Sequence, residues 1–167
     1  GKGAVLTQLS LFWFDLLEDI VPNHIVSTDV PEEVEDRAII VQPLEMFAIE
    51  CVARGYLTGS GWSEYKENSA VCGNKLPAGL LDGSELPASI FTPATKADVG
   101  DHDINIDFDS ASKIVGAKEA AELRDLTLKL YDVAADFAKS RGILLADTKF
   151  EFGRNAAGAI TLGDEAL

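Results

Sequence analysis

Asp147-Thr148-Lys149-Phe150-Glu151-Phe152 places three charges at alternate positions directly after the apolar run Leu144-Leu145-Ala146. In a strand successive side chains point to opposite faces, so Asp147, Lys149 and Glu151 share one surface while Thr148, Phe150 and Phe152 share the other. The run before them reads as buried core, and charges rarely enter a core without a partner. The charged face is therefore expected to look into a cleft holding something charged. A metal ion carried on phosphate is the candidate this pattern suggests. The competing explanation is an ion-pair ladder along the strand, Asp147 to Lys149 to Glu151.

Two further groups could do chemistry. Arg54-Gly55-Tyr56-Leu57-Thr58-Gly59-Ser60-Gly61 reads as a strand running out into a glycine-rich loop. Glycines let backbone N–H groups approach an anion, and Arg54 offers a planar fork that matches phosphate or carboxylate. The spacing is not that of a Walker loop, and a simple Arg54 to Glu50 pair explains the same residues. Thr95-Lys96-Ala97-Asp98-Val99-Gly100-Asp101-His102-Asp103 gathers a Lys, a His and three Asp, in an order unlike an EF-hand. Asp98 and Asp101 are expected in a solvated acidic loop, which leaves Lys96 and His102 as candidates. Trp62, Tyr65 and Lys66 either line a pocket or pack.

The elements that must position these groups follow from periodicity. Leu6, Leu9, Trp13, Leu16 and Ile20 predict an amphipathic helix over 4–20, stopped by Pro22. Residues 24–27 and 38–42 are short β-type runs around an acidic turn. Residues 46–54 predict a strand with Glu50, Val52 and Arg54 on one face. From 55 to 109 the Gly, Pro, Ser and Asp content predicts loops, with strand-like fragments only near Leu80 and Ile90. Leu123, Leu126, Leu130, Val133, Ala134 and Phe137 mark a helix over 117–141, closed by Gly142. A strand over 142–153, a turn at 154–158 and a returning arm at 159–162 make a hairpin. Paired residue numbers should then sum to 311 or 312, bringing Asp164 beside Asp147 or Thr148. With an even sum Asp164 falls on the face opposite Glu151, and needs a bulge or strand end to join it. Mg²⁺ bound with ATP takes one or two carboxylates, so Glu151 and Asp164 are candidate ligands.

The bulk numbers bound the function. With 167 residues, 47% of them hydrophobic, the chain can bury a substantial core. A net charge of −14 argues against nucleic-acid or anionic-membrane partners. Cys51 and Cys72 are too few for a disulfide framework or zinc site, which suits a reducing cytoplasm. No apolar run is long enough to span a bilayer. The chain starts Gly1-Lys2-Gly3 and stops at Gly163-Asp164-Glu165-Ala166-Leu167 after an expected strand, so both ends are expected to be cut.

Glu50-Cys51-Val52-Ala53-Arg54-Gly55-Tyr56-Leu57-Thr58-Gly59-Ser60, Phe91-Thr92-Pro93-Ala94-Thr95-Lys96-Ala97-Asp98 with Asp101-His102-Asp103, and Leu145-Ala146-Asp147-Thr148-Lys149-Phe150-Glu151-Phe152-Gly153 together resemble the SAICAR synthetases, in one order along the whole chain. The resemblance implies an α+β, two-part fold of antiparallel sheets with flanking helices and an ATP cleft between the parts. Residues 1–44 would be a remnant of the ATP-binding sheet, and 45–167 a larger substrate- and ATP-binding domain. It also implies an ATP-dependent ligase of purine biosynthesis that joins L-aspartate to carboxyaminoimidazole ribonucleotide through an acyl phosphate. By the same resemblance Glu151 and Asp164 hold Mg²⁺, while Arg54 and Ser60 seat the ribonucleotide phosphate. Glu50, Asp147 and Lys149 face the reacting carboxylate and imidazole, Lys96 and Asp103 lie by the nucleotides, and Met46 borders adenine. Ala48 stands where the family has Pro. The family's glycine- and lysine-bearing hairpin over the ATP phosphates, and its Ser-Arg pair beyond Asp164, are not in this sequence. Other expectations are a non-catalytic nucleotide-binding fragment, or another ATP-dependent kinase or carboxylate-amine ligase.

Overall fold

The computed structural model of the chain describes residues 1–96 and 104–167. In chain order its elements are α1 (Lys2–Leu17), β1 (Ile25–Ser27), β2 (Ile40–Val41), β3 (Glu45–Met46), β4 (Ile49–Leu57), α2 (Gly59–Asn68), β5 (Ala70–Val71), β6 (Asn74–Lys75), β7 (Ser84–Phe91), β8 (Ala94–Thr95), α3 (Phe108–Val115), α4 (Ala117–Ser140), β9 (Asp147–Arg154) and β10 (Ile160–Gly163). The strand ladders are antiparallel and the fold is α+β, as expected. The chain divides into two compact units, residues 1–47 with 150–167, and residues 48–149.

In the first unit α1 buries Ser10, Trp13, Phe14 and Leu17. Leu6 and Leu9, expected inside, are 42% and 45% exposed. The buried stripe is rotated because Ser10 takes an inward position, where its Oγ accepts the Ala166 N–H at 3.0 Å. The second half of β9 pairs with β10 and with β3, Gly153 standing opposite both Thr161 and Met46. Phe150 and Phe152 are fully buried beneath it. Gly153 admits no side chain, since a Cβ there would lie 2.7 Å from Leu44 Cβ and 2.9 Å from the Glu45 carbonyl.

The hairpin register departs from expectation: Arg154 pairs with Ile160 and Glu151 with Gly163, a sum of 314. The cause lies in the turn. Asn155 Oδ1 accepts the N–H groups of Ala157 and Ala159, each at 3.0 Å, closing a five-residue loop that leaves Arg154 in the strand and Ala159 out of it. Asp164 therefore follows the partner of Glu151 and is not beside Asp147. It sits just past the strand end at φ +55°.

In the second unit β4 pairs with β7 and β8. The expected 46–54 strand is interrupted: β3 ends at Met46 and β4 starts at Ile49, then runs on to Leu57. The loops expected over 55–109 hold only in part: the strand fragment expected near Ile90 is β7, but further elements stand where loops were expected. Gly59 to Asn68 form a helix, which Tyr65 anchors in a cluster with Leu57, Val71, Cys72 and Leu86. Its Gly-Ser-Gly start and mostly polar surface hid it from periodicity. Trp62 stacks on Tyr65 with ring centres 5.9 Å apart, and Lys66 lies over Trp62, so these three pack. Helix α3 is capped by Asp107, whose carboxylate accepts the Ser110 N–H at 2.8 Å.

Helix α4 buries Ala120, Leu123, Thr127, Leu130, Tyr131, Ala134 and Ala138. Val133, expected inside, is 40% exposed; small residues take inward places instead. Opposite them β4 and β7 shift register between Arg54 and Tyr56. A Cβ on Gly55 would lie 2.1 Å from the Tyr131 hydroxyl, so only glycine permits this approach. Ile143 and Leu144 are more than 60% exposed, so the run before Asp147 is not the core strand expected; β9 begins at Asp147.

Candidate functional site

Arg54 organises the second unit's charged cluster. Its side chain is 8% exposed, and all three of its nitrogens are engaged. Nε donates to Thr92 Oγ1 at 3.0 Å, Nη1 to Asp147 Oδ2 at 2.6 Å and Nη2 to Ser60 Oγ at 3.1 Å. A guanidinium has five N–H groups, so two remain for an external anion. The fork is held before any ligand arrives, which removes most of the ordering cost of binding. The pair with Glu50 weighed from the sequence gives way to Asp147.

Asp147 is itself held in place. The Ala146 carbonyl accepts the N–H groups of Gly55 and Tyr56 at 3.0 and 3.1 Å. The Tyr131 hydroxyl donates to the Leu145 carbonyl at 2.6 Å. Helix α4 and strand β4 thus pin the two residues before β9, fixing where Asp147 starts. Burial pushes the Tyr131 phenol up to about 12.

Lys149 Nζ donates to Glu50 Oε1 at 2.8 Å, with Glu50 10% and Lys149 44% exposed by side chain. Asp147 and Lys149 therefore each pair with β4. Two cations and two carboxylates balance, so the cluster does not share the chain's net charge of −14. Ser60 lies in the first turn of α2, where backbone N–H groups lack helical acceptors and attract anions. Lys96 is exposed just after β8. Asp103 and His102 lie outside the described residues. Thr92, fully buried, was given no role from sequence; nothing in its spacing marks a threonine as a guanidinium acceptor.

In the first unit Glu151 is half-buried on β9, opposite Gly163, and the exposed Asp164 follows that partner. Among the described residues no group of three or more metal-capable side chains occurs. The chain's own donor set at this end is a pair of hard carboxylates. That set fits a Mg²⁺ whose other ligands are phosphate oxygens and water. Met46, 40% exposed, stands opposite Gly153. His24 is buried; burial lowers its pKa from the usual histidine value, and the charge of Asp164 opposes that shift.

The model of one family, SAICAR synthetase, matches residues 1–166. A phosphoribosylaminoimidazole-succinocarboxamide synthase from Saccharopolyspora erythraea is 57% identical over 99% of this chain, and one from Streptomyces coelicolor is 56% identical over 99%. The chain spans 57% and 56% of the lengths of those relatives. Among solved structures, the SAICAR synthase of Saccharomyces cerevisiae complexed with SAICAR superposes with a TM-score of 0.89 at 38% identity, covering 99% of this chain and 60% of that one. A SAICAR synthetase in complex with ADP gives 0.82 at 30%, covering 99% and 64%.

Proposed function

This chain belongs to the SAICAR synthetase family, and from that premise we propose that it serves an ATP-dependent ligase joining L-aspartate to carboxyaminoimidazole ribonucleotide, yielding SAICAR, ADP and phosphate. The observation that carries the reading is the preordered Arg54 fork, with Thr92, Asp147 and Ser60 around it at the start of α2. Such a seat suits the dianionic phosphate of a ribonucleotide. The SAICAR complex of the yeast relative and the ADP complex of another support a ribonucleotide and an adenine nucleotide as ligands here.

In the proposed reaction a carboxylate oxygen of the imidazole attacks the γ-phosphorus of ATP and ADP leaves. The aspartate amine then attacks the acyl carbon, phosphate leaves, and the nitrogen loses a proton. Arg54 and Ser60 hold the ribonucleotide phosphate, so the imidazole carboxylate is presented at a fixed place. Lys149 directs its ammonium toward that carboxylate. Glu50 sets where the ammonium lies, through the 2.8 Å contact. Asp147 holds the Arg54 fork in place through the 2.6 Å contact. Glu151 and Asp164 would hold Mg²⁺, which supplies charge neutralisation of the ATP phosphates when bound. Lys96 and Asp103 are assigned to nucleotide contacts and Met46 to the border of adenine. A cytoplasmic setting fits the two free cysteines.

The test is ADP release by this chain with Mg²⁺ and ATP. Release that requires both L-aspartate and the imidazole ribonucleotide supports the ligase. Release indifferent to them favours another kinase or ligase, and ribonucleotide binding without release favours a binding role.

A further inference from the structure

Between the end of α4 at Ser140 and the start of β9 at Asp147 the chain runs without helix or strand. Apolar burial does not anchor this stretch, since Ile143 and Leu144 are more than 60% exposed. Its start is fastened to α4, where the Gly142 and Ile143 N–H groups donate to the Lys139 and Ala138 carbonyls, each at 3.0 Å. Its end is fastened by Tyr131 and β4. The Tyr131 hydroxyl donates to the Leu145 carbonyl at 2.6 Å and lies 3.5 Å from that of Ala146, which accepts the N–H groups of both Gly55 and Tyr56. Two successive N–H groups on one carbonyl are the pattern of a bulge, and the β4–β7 ladder shifts register at the same place, between Arg54 and Tyr56. Bulges re-aim the side chains beside them, and the neighbour here is Arg54. Tyr131 is 3% exposed, and a phenylalanine would fill the same space, so what the hydroxyl adds is its bond to the backbone before Asp147. A cavity of about 220 Å³, lined by Gly55, Ser89, Tyr131, Leu144 and Leu145 among others, gives that backbone room to shift.

We infer that Tyr131 is a positioning residue for the Arg54 fork: its hydroxyl fixes the Leu145 carbonyl, Leu145 and Ala146 fix the start of β9, and Asp147 at that start holds the guanidinium. The inference rests on the proposed phosphate role of Arg54. The run of contacts ends at Asp147 Oδ2, 2.6 Å from Arg54 Nη1. A charge-assisted bond that short tolerates little displacement. Backbone that slides toward the cavity carries the carboxylate with it, and the fork turns away from the place where Ser60 and the phosphate meet it. Tyr131 acts through the backbone of residues 145–146 and through Asp147, not on the substrate itself. It also acts from a fixed point: Asp132, next to it on α4, accepts the Ser89 hydroxyl at 2.7 Å and ties the same turn of helix to β7.

The experiment compares Tyr131→Phe with Ala120→Gly, which loosens the same helix about three turns away. SAICAR is titrated calorimetrically into each 167-residue chain, the ¹⁵N resonances of the Arg54 guanidinium are followed without ligand, and circular dichroism confirms folding. Tyr131→Phe should bind SAICAR about fivefold more weakly and move the Arg54 resonances, while Ala120→Gly should do neither. If the Phe variant does not fold, Tyr131→Met, which also lacks the hydroxyl and adapts its shape to the space, carries the same expectation. Failure of both to fold makes the hydroxyl a requirement of the fold and overturns the inference. Native affinity or unmoved Arg54 resonances in a folded Tyr131 variant, or the same losses in Ala120→Gly, overturn it and leave the phosphate seat standing. No SAICAR binding by the native chain overturns both.

Discussion

Glu151 and Asp164, the proposed metal ligands, supply carboxylate oxygens only. Glu151→Gln is nearly isosteric, so turnover at limiting Mg²⁺ should fall on the order of a hundredfold with Tm unchanged; unchanged turnover removes the metal role. Two protons inside the second unit make a separate prediction. Burial, with the Glu64 carboxylate adding to it, pushes the Cys72 thiol up to about 12, and burial does the same for the Tyr131 phenol. The folded chain then holds protons that the unfolded chain has released. Stability from Cys72 is complete below pH 9 and lost from there to about 12, and that from Tyr131 is lost from pH 10 to about 12. Melting scans should show Tm falling through this window, less steeply in Cys72→Ala. Equal slopes would contradict it. At this scale the sequence marked Asp147, Lys149 and Glu151 as one charged face, because alternation on a strand is visible in it. It did not show their partners: Asp147 meets Arg54 across 93 positions of sequence, and Thr92 bears no charge to draw attention.

Among elements, the approach of β4 to α4 is the tightest place that bears on the site. Gly55→Ala drives a methyl into the Tyr131 hydroxyl and should cost about 1–3 kcal/mol. Tyr131→Phe removes the hydroxyl and the bond to Leu145, so the double variant should be more stable than the sum of the two single changes predicts. Chemical denaturation of the four proteins measures this coupling; strict additivity would show that the two residues do not meet. Helices α1 and α4 and the β9–β10 hairpin were legible from apolar period and turn residues. The inward stripe was legible only in part: Trp13, Leu123, Leu130 and Ala134 are buried as expected, but Ser10 and the other alanines of α4 are chosen by what they touch. Helix α2 was hidden for a related reason: its single buried tyrosine and its glycine-serine start give no periodic signal. The hairpin register turned on one Asn155 side chain, and a shift of two or three in the pair sum moves Asp164 from the neighbourhood of Asp147 to a place after the partner of Glu151.

For the molecule as a whole, motifs spread along the entire chain named the family, and the fold class followed from it. Composition alone would not have done so. A net charge of −14 is compatible with the proposed anion site because cations are placed locally: Arg54 beside Ser60, and Lys149 beside Glu50. The central claim is that this local placement seats a ribonucleotide phosphate. Calorimetric titration of SAICAR into the 167-residue chain tests it most directly, with Arg54→Met and Ser60→Ala alongside and circular dichroism to confirm that each is folded. We predict one site in the native chain, weakened at least about tenfold by Arg54→Met, which is about 1.4 kcal/mol, and less by Ser60→Ala. Absence of binding by the native chain, or equal affinity in a folded Arg54→Met variant, would contradict it.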